Sequence, residues 1–297
     1  MKIRYDENGV HFFNRNTGAN LLVDEINVLP SRWSKSPRHV SFALTNVCDL
    51  RCGYCYAPKN KSELDLNKLK SWIKELDQNG CLGIGFGGGE PTIYKNFVEL
   101  CRYTSENTDL AVSFTTHGHR LRPFMAEQLN GYVHFIRVSM DGLSETYERL
   151  RGRSFEQFLS AISLAKMIAP FGINYVLNVD TLHELEAAIE CAQQLGASEF
   201  LILPEINKTG ASNSVHLRYL RDFLLEYKGD LPLRINQNCA DGMPVANPFD
   251  DLDPLNAYAF VDARGFLRRT SYETGGVDIS GSNIIKGLEI MRSQFNN

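Results

Sequence analysis

Residues 39–58 read HVSFALTNVCDLRCGYCYAP, and this stretch decides the fold. Its first part, 39–45, is mostly apolar and has the length of a buried β-strand. Cys48, Cys52 and Cys55 follow directly, all within eight residues. Loops at the ends of strands carry binding and catalytic side chains disproportionately often. Three thiols in such a loop either bind a metal or remain as an unpaired group.

An alternation of strands and helices surrounds this stretch. The predicted strands are 39–45, 82–86, 110–115, 133–139, 173–179 and 199–203. The predicted helices are about 66–78, 95–106, 121–130, 155–168, 183–195 and 213–227. Parallel strands need crossover connections, and helices supply them. The order therefore predicts an α/β fold with a partial (β/α)6, TIM-like barrel, although a doubly wound sheet would show the same rhythm.

The two ends of the chain break this alternation. Residues 1–37 predict an N-terminal β-hairpin and linker, with turns at 7–9 and 16–18. Residues 231–297 predict a small C-terminal α+β cap, with a hairpin over 257–272 and a final helix near 283–294. We therefore predict three units: 1–37, the barrel over 38–230, and the extension over 231–297.

Composition excludes several classes of protein. The 297 residues are 43% apolar and carry a net charge of −4, so the chain is globular and has no polybasic footprint for nucleic acid. No apolar run is long enough to cross a membrane, and the start MKIRYDENG lacks a secretory signal. We expect a cytoplasmic protein with no nucleic-acid or membrane partner. Disulfides are rare in that compartment.

The cysteine spacing distinguishes between kinds of metal site. Structural zinc sites are usually closed by a fourth Cys or His, and the nearest earlier histidine, His39, lies a whole strand away. A 4Fe–4S cubane held by three thiolates instead keeps one iron open to an outside ligand. We interpret the cysteines as ligands of such a cluster; an incomplete zinc site or inert thiols are the alternatives.

The segment TNVCDLRCGYCYAP resembles the C-x3-C-x2-C loop of the radical S-adenosylmethionine (SAM) enzymes, which usually have an aromatic residue where Tyr54 stands. The resemblance implies one 4Fe–4S cluster on Cys48, Cys52 and Cys55, with SAM chelating the open iron. One electron then cleaves SAM, and the resulting 5′-deoxyadenosyl radical takes hydrogen from the substrate. The cofactors carry this chemistry while the protein aims it. A reductant such as a flavodoxin or ferredoxin is an implied partner.

Gly88, Gly89 and Glu90 match the GGE motif of the same superfamily. By this resemblance Glu90 accepts a hydrogen bond from the SAM ammonium group, while a flexible turn is the structural alternative. The glycines of 83–88 also fit a dinucleotide-binding pattern. Glu90 and Pro91 interrupt the helix start that this pattern requires, and Asp109 precedes the next strand instead of following it. We therefore reject a dinucleotide site.

Further strand ends resemble SAM-binding positions, as expected where barrel sites are assembled. Arg151 resembles the arginine that steadies the SAM carboxylate, although Arg149 and Arg153 leave that assignment open. The remaining expected contacts with SAM or its surroundings are Thr116, His117, Ser139, Asp141, Asn178 and Leu203.

Residues 260–273, FVDARGFLRRTSYE, and residues 280–293, SGSNIIKGLEIMRS, resemble the hairpin and the closing helix of the SPASM and Twitch extensions of peptide-modifying members. Those extensions bind auxiliary clusters. Cys239 is the only cysteine of residues 231–297, and Arg269, Thr270 and Ser271 stand where a hairpin cysteine is expected. We predict no auxiliary cluster. The resemblance favours a ribosomally made peptide as substrate, modified by cross-linking, epimerisation or a related reaction. The alternatives are a radical SAM enzyme acting on a small metabolite and a non-catalytic metal-binding module.

Overall fold

Ten strands share one sheet in the computed structural model, which describes residues 1–206, 212–236, 239–247, 249, 251 and 253–295. The strands are β1 (Lys2–Asp6), β2 (Gly9–Phe13), β3 (Asn20–Val23), β4 (His39–Thr45), β5 (Gly83–Gly88), β6 (Ala111–Thr116), β7 (Phe135–Ser139), β8 (Phe171–Leu177), β9 (Phe200–Pro204), β10 (Leu233–Ile235), β11 (Tyr258–Val261), β12 (Phe266–Arg268) and β13 (Val277–Asp278). The helices are α1 (Leu66–Gln78), α2 (Phe97–Asn107), α3 (Pro123–Leu129), α4 (Ser144–Arg151), α5 (Phe155–Ile168), α6 (Leu185–Gln194), α7 (Ser214–Glu226) and α8 (Ile284–Phe295).

Strands β4 to β9 stand side by side in chain order, and each neighbouring pair is parallel. Helices α1 to α6 lie between them in the chain, as parallel pairing requires. The predicted α/β fold with its six-strand β/α unit is confirmed. Strand β10 adds a further parallel strand beside β9. This strand is absent from the predicted elements, because three residues are too few to show a strand pattern.

Burial alternates along β4, and the buried side chains fix this strand against the core. Val40, Phe42 and Leu44 are fully buried, whereas His39 and Ser41 are half-buried on the opposite face. The buried face packs on α1, where the Phe42 and Trp72 rings stack 6.4 Å apart. The strand therefore enters the core along one face and delivers the cysteine segment at its carboxyl end.

The N-terminal region forms a three-stranded antiparallel sheet, β1-β2-β3, instead of a simple hairpin. The difference arises because residues 20–23 turn back to pair with β2 after the second predicted turn. Arg4 on β1 is fully buried and donates to the carbonyl oxygens of Ser36 and Gly80, at 2.7 and 3.0 Å. These bonds fasten the small sheet to the barrel.

The C-terminal extension joins the central sheet. Strand β11 pairs in parallel with β4, and β12 and β13 continue from it in antiparallel order. The predicted hairpin and final helix are present. Trp72 Nε1 donates to the Ser282 carbonyl at 3.2 Å, and Ile284 N donates to Glu75 at 2.9 Å. The extension therefore contacts α1 directly, while the division at 37 and 230 stays a prediction.

Helix α4 is the largest element that the sequence analysis missed. Its sequence, SETYERLR, buries only Tyr147, so no apolar stripe marks it. It ends at Gly152, whose φ of 64° is the left-handed conformation of a helix terminus. Within the part of the chain described here, no helix combines the length and apolar character needed to cross a membrane.

Candidate active site

The cysteine loop, residues 46–58, leaves the carboxyl end of β4. Cys48 and Cys52 are half-buried and Cys55 is exposed. Leu50 N donates to the Cys48 sulfur at 3.4 Å, and Cys55 N donates to the Cys52 carbonyl at 3.2 Å. Burial raises the pKa of the Cys48 thiol. All seven cysteines of the chain are free thiols, so the three in this loop are available to a metal.

The GGE turn, residues 88–90, packs against the start of this loop. Gly89 N donates to the Thr45 carbonyl at 2.7 Å, and Glu90 N donates to the Val47 carbonyl at 2.9 Å. A Cβ on Gly89 would lie 2.2 Å from the Val47 carbonyl oxygen. Gly88, with φ +120°, is equally close to the Thr45 carbonyl. The two glycines therefore permit the turn to approach the backbone of Thr45 and Val47 closely. This packing favours a tightly held turn over a flexible one.

The surroundings of this turn also argue against a dinucleotide site. A short 3-10 segment, Pro91–Ile93, follows the glycines, and α2 begins only at Phe97. A pyrophosphate site needs a helix N-terminus directly after the glycine turn.

Glu90 is 1% exposed and joins the ends of β5 and β6. Its carboxylate accepts hydrogen bonds from the Thr92 hydroxyl at 2.6 Å, the Thr116 hydroxyl at 2.7 Å and His117 N at 3.1 Å. His117 Nε2 lies 3.3 Å from the same carboxylate. Glu90 thus holds Thr116 and His117 in place, and its predicted contact with SAM stays a prediction.

Asp49 is a residue of this site that the sequence analysis missed. Its carboxylate lies 2.9 Å from His117 Nε2. Burial opposes ionisation of Asp49, but His117 offsets it and the net pKa is lowered. The Cys48 sulfur and one ligand atom each of Asp49 and His117 lie within 4.8 Å of one another. Zinc accepts such a mixed set of ligands. The Nε2 atom of His117, however, already lies at 2.9 Å from Asp49 and 3.3 Å from Glu90, so this arrangement does not favour a zinc site.

A second cluster joins the cysteine loop to β7 and α4. Asp141 is fully buried, forms an ion pair with Arg151 and accepts hydrogen bonds from the Tyr54 hydroxyl and, at 2.7 Å, from Val176 N. Arg151 also donates to the Cys52 sulfur at 3.8 Å. Burial tends to lower the pKa of Arg151, but Asp141 more than offsets it, so the guanidinium stays charged. Burial and Asp141 raise the pKa of Tyr54.

The geometry distinguishes the three arginines of the 149–153 run. The Arg149 side chain is 57% exposed and pairs with Asp180 at 2.9 Å. The Arg153 side chain is 40% exposed and lies 3.6 Å from Asp49. Arg151 is 10% exposed and reaches inward to Cys52. The position of Arg151 is the one that suits the predicted role.

The remaining predicted contacts lie at neighbouring strand ends. Ser139 ends β7 and is half-buried. Asn178 directly follows β8, is buried, and its side-chain oxygen accepts from the backbone N–H groups of Asp180 and Thr181 at 3.0 and 3.2 Å. Leu203 lies half-buried on β9. Asn178 therefore shapes a turn, and no contact of these three residues tests their predicted role.

The donor set fits an iron–sulfur cluster with a bound anion. Three soft thiol ligands share one loop, as such clusters require. Arg151 Nε is buried and, among the described residues, has no hydrogen-bond partner. Buried donors rarely stay unsatisfied, so this atom offers a hydrogen bond to a carboxylate such as that of SAM.

Comparison with known proteins points to one superfamily. Residues 42–192 match the Radical SAM superfamily. The chain is 32% identical over 173 residues to the AdoMet-dependent heme synthase of Methanosarcina barkeri, covering 55% of this chain and 49% of that protein. It is 30% identical over 172 residues to the mycofactocin maturase MftC of Mycobacterium tuberculosis, covering 55% and 44%. The chain spans about half the length of these curated relatives.

Solved structures show the same fold over nearly the whole chain. Streptococcus suis SuiB bound to S-adenosylmethionine superposes with a TM-score of 0.76 at 13% identity, covering 98% of this chain and 89% of that one. SuiB bound to its precursor peptide SuiA gives a TM-score of 0.75. At this level of identity, the likeness shows the fold alone.

Proposed function

The chain belongs to the radical SAM superfamily, and from this premise we propose that it modifies a ribosomally made peptide by SAM-dependent radical chemistry. The observation that carries the proposal is the cysteine loop, with three free thiols backed by Arg151 and by the GGE turn. Cys48, Cys52 and Cys55 would hold the 4Fe–4S cluster. When bound, the cluster and SAM supply the one-electron cleavage of SAM and the abstraction of a hydrogen atom.

The chain's own residues hold and orient these groups. Asp141 fixes the Arg151 guanidinium beside Cys52, where it would steady the SAM carboxylate. Glu90 locks Thr116 and His117 at the adjacent strand end. Preorganised charge and hydrogen bonding of this kind limit reorganisation during reaction.

A polar face of the sheet would receive the substrate. Four residues are half-buried on one face of the parallel sheet, opposite the face that packs on the helices: Ser41 on β4, Ser113 on β6, and Arg137 and Ser139 on β7. The serine hydroxyl oxygens of this face can accept hydrogen bonds from a polar substrate such as a peptide backbone. The Ser113 hydroxyl already donates to the Ile84 carbonyl at 3.0 Å, and Arg137 already pairs with Glu199. In barrel folds, substrates bind at the carboxyl ends of the strands, where the cysteine loop also lies.

We propose a single cluster. Cys239 is the only cysteine of residues 231–297, and it is buried with its sulfur 3.4 Å from the Ser212 hydroxyl. One thiolate cannot hold a second cubane by itself. Arg269, Thr270 and Ser271 supply no further thiol.

A peptide substrate is supported by the relatives. MftC is named a mycofactocin maturase, and SuiB has been solved with its precursor peptide. The AdoMet-dependent heme synthase match favours the second candidate, a radical SAM enzyme acting on a small metabolite. The third alternative, a non-catalytic metal-binding module, would share the thiols without cleaving SAM.

Substrate trials separate these proposals. The reconstituted enzyme is incubated with SAM, a reductant and short peptides encoded beside its gene, and products are followed by mass spectrometry. We expect a changed peptide mass together with 5′-deoxyadenosine. Turnover of a free metabolite alone would overturn the peptide proposal, and failure to cleave SAM would leave the binding module.

A further inference from the structure

A pocket of about 440 Å³ lies beside the cysteine loop, on the helical side of the sheet. The segment between β6 and α3 forms one wall and α5 forms the other. Three exposed arginines line it: Arg120, Arg122 and Arg153. We call it the arginine pocket. Such a concentration of positive charge stands out in a chain whose net charge is −4.

The charge of the pocket is only partly compensated. Asp49 lies 3.8 Å from Arg120 and 3.6 Å from Arg153, and its carboxylate is also bonded to His117. Three guanidinium groups against one carboxylate leave the pocket positive. The Arg120 and Arg153 side chains are 45% and 40% exposed, so their pairs with Asp49 are weak. Both arginines therefore remain available to acidic groups of a partner.

The arginine pocket is close to the thiols yet separate from the substrate face. Asp49 lines the pocket and is the chain neighbour of Cys48. Gln157, Ser160 and Leu164 of α5 complete the lining, and α5 packs into the core through Phe158 and Ile162. The polar face that would receive a substrate lies on the other side of the sheet. A partner bound at the arginine pocket would approach Cys48 without blocking the substrate.

We propose that the arginine pocket is the docking surface for an acidic one-electron carrier protein of the flavodoxin or ferredoxin type. The inference rests on the proposed function, because it requires the cluster on Cys48, Cys52 and Cys55. In the docked complex, the carrier loses one electron and the cluster gains it, and no bond forms or breaks in this step. Complementary charge at such a surface speeds encounter and selects the partner.

Charge reversal tests the proposal. The double variant Arg120→Glu/Arg153→Glu is compared with Arg221→Glu/Arg264→Glu, a control of equal charge change. The control arginines are 54% and 52% exposed and pair with Asp222 and Asp262 at 3.7 and 3.3 Å. A third variant, Arg122→Glu, changes an arginine that donates to the carbonyl groups of His119 and Leu121.

Three quantities are measured on the reconstituted enzyme: the Kd for oxidised flavodoxin or ferredoxin, the rate of cluster reduction by each reduced carrier at low and high salt, and SAM cleavage driven by dithionite. We expect the double variant to weaken carrier binding and slow carrier-driven reduction by about tenfold or more at low salt, with a smaller loss for Arg122→Glu. The wild-type rate falls as salt rises. Dithionite-driven cleavage and the control variant keep wild-type values.

The outcomes separate the docking proposal from the proposed function. Unchanged carrier binding and reduction in the double variant, in an enzyme that cleaves SAM, would overturn the docking proposal alone. An equal loss with dithionite would also overturn it, since the arginines would then support the site instead of a partner. Charge-dependent carrier binding without any SAM cleavage by the wild type would overturn the proposed function and leave the docking surface standing.

Discussion

At the scale of single residues, Asp141 links the cysteine loop to the barrel. It is fully buried and its partners are the Arg151 guanidinium, the Tyr54 hydroxyl and Val176 N. A buried carboxylate is tolerated only when it is paired and hydrogen-bonded. The ion pair also fixes the one arginine of the 149–153 run that reaches Cys52.

Replacing Asp141 by Asn should therefore destabilise the protein strongly. The change leaves Arg151 buried without its counter-charge, and breaking a buried pair in this way costs about 3–5 kcal/mol. The matched control is Asp180→Asn, which breaks the exposed pair with Arg149 and should cost about 1 kcal/mol or less. Urea unfolding of both variants checks this. If the two variants unfold at the same urea concentration, Asp141 does not hold the loop.

Some site residues can be identified from a motif in the sequence around them, and others cannot. The spacing of Cys48, Cys52 and Cys55 is visible in the sequence, and the resemblance pointed to Asp141 and Arg151, which the structure brings together. The sequence gives no sign of Asp49. Its significance comes from His117 and Arg120, which lie far away in the chain and reach it only through the fold.

At the scale of elements, the GGE turn sets the position of the cysteine loop. Its backbone hydrogen bonds to Thr45 and Val47 require the two segments to lie closer together than a Cβ atom at Gly88 or Gly89 would allow. Glycine at this place is a packing requirement as well as a motif.

Gly89→Ala should lower stability by about 1–3 kcal/mol and reduce iron bound per chain, because the new methyl group meets the Val47 carbonyl at 2.2 Å. Gly87→Ala is the matched control, since nothing lies within 4 Å of its added Cβ. Unfolding and iron analysis are run on both variants after reconstitution. Full iron loading and unchanged stability in Gly89→Ala would contradict the close-packing argument.

Elements with a strong apolar pattern were predicted within a few residues, and weakly patterned ones were not. The amphipathic α1 was predicted with its observed bounds, 66–78, since its buried residues recur at helical spacing. Helix α4 buries a single side chain and left no such signal. Strand β10 has three residues, and its pairing with β9 is a tertiary event.

At the scale of the whole molecule, the C-terminal extension is part of the barrel's core. Its strand β11 lies beside β4, the strand that delivers the cysteines. Val261, Leu267 and Leu288 are fully buried in the same apolar cluster as Val40 and Phe42. We therefore expect the extension and the barrel to unfold together.

Leu288→Ala should destabilise the entire protein by about 2–5 kcal/mol in one cooperative transition. Leu225→Ala on α7 is the control, because this leucine is 65% exposed and its loss should change stability by about 0.5 kcal/mol or less. Circular dichroism and tryptophan fluorescence are followed in parallel. Two separate transitions would instead support an independent domain after residue 230.

The whole-molecule arrangement was only partly accessible from sequence. The alternation of elements predicts a parallel β/α unit over β4–β9, because consecutive parallel strands are joined by helices. It does not give the observed order of the strands, because a doubly wound sheet shows the same alternation. The return of β11 to the β4 edge was not predictable, since it pairs segments more than 200 residues apart.

Anaerobic reconstitution with iron and sulfide, followed by addition of SAM and dithionite, tests directly whether the chain is a radical SAM enzyme with a single cluster. We predict about four irons per chain and formation of 5′-deoxyadenosine. Both should be lost in Cys52→Ala and kept in Cys191→Ala, whose thiol lies on α6. About eight irons would contradict the single cluster. A bound zinc without SAM cleavage would contradict the radical mechanism as a whole.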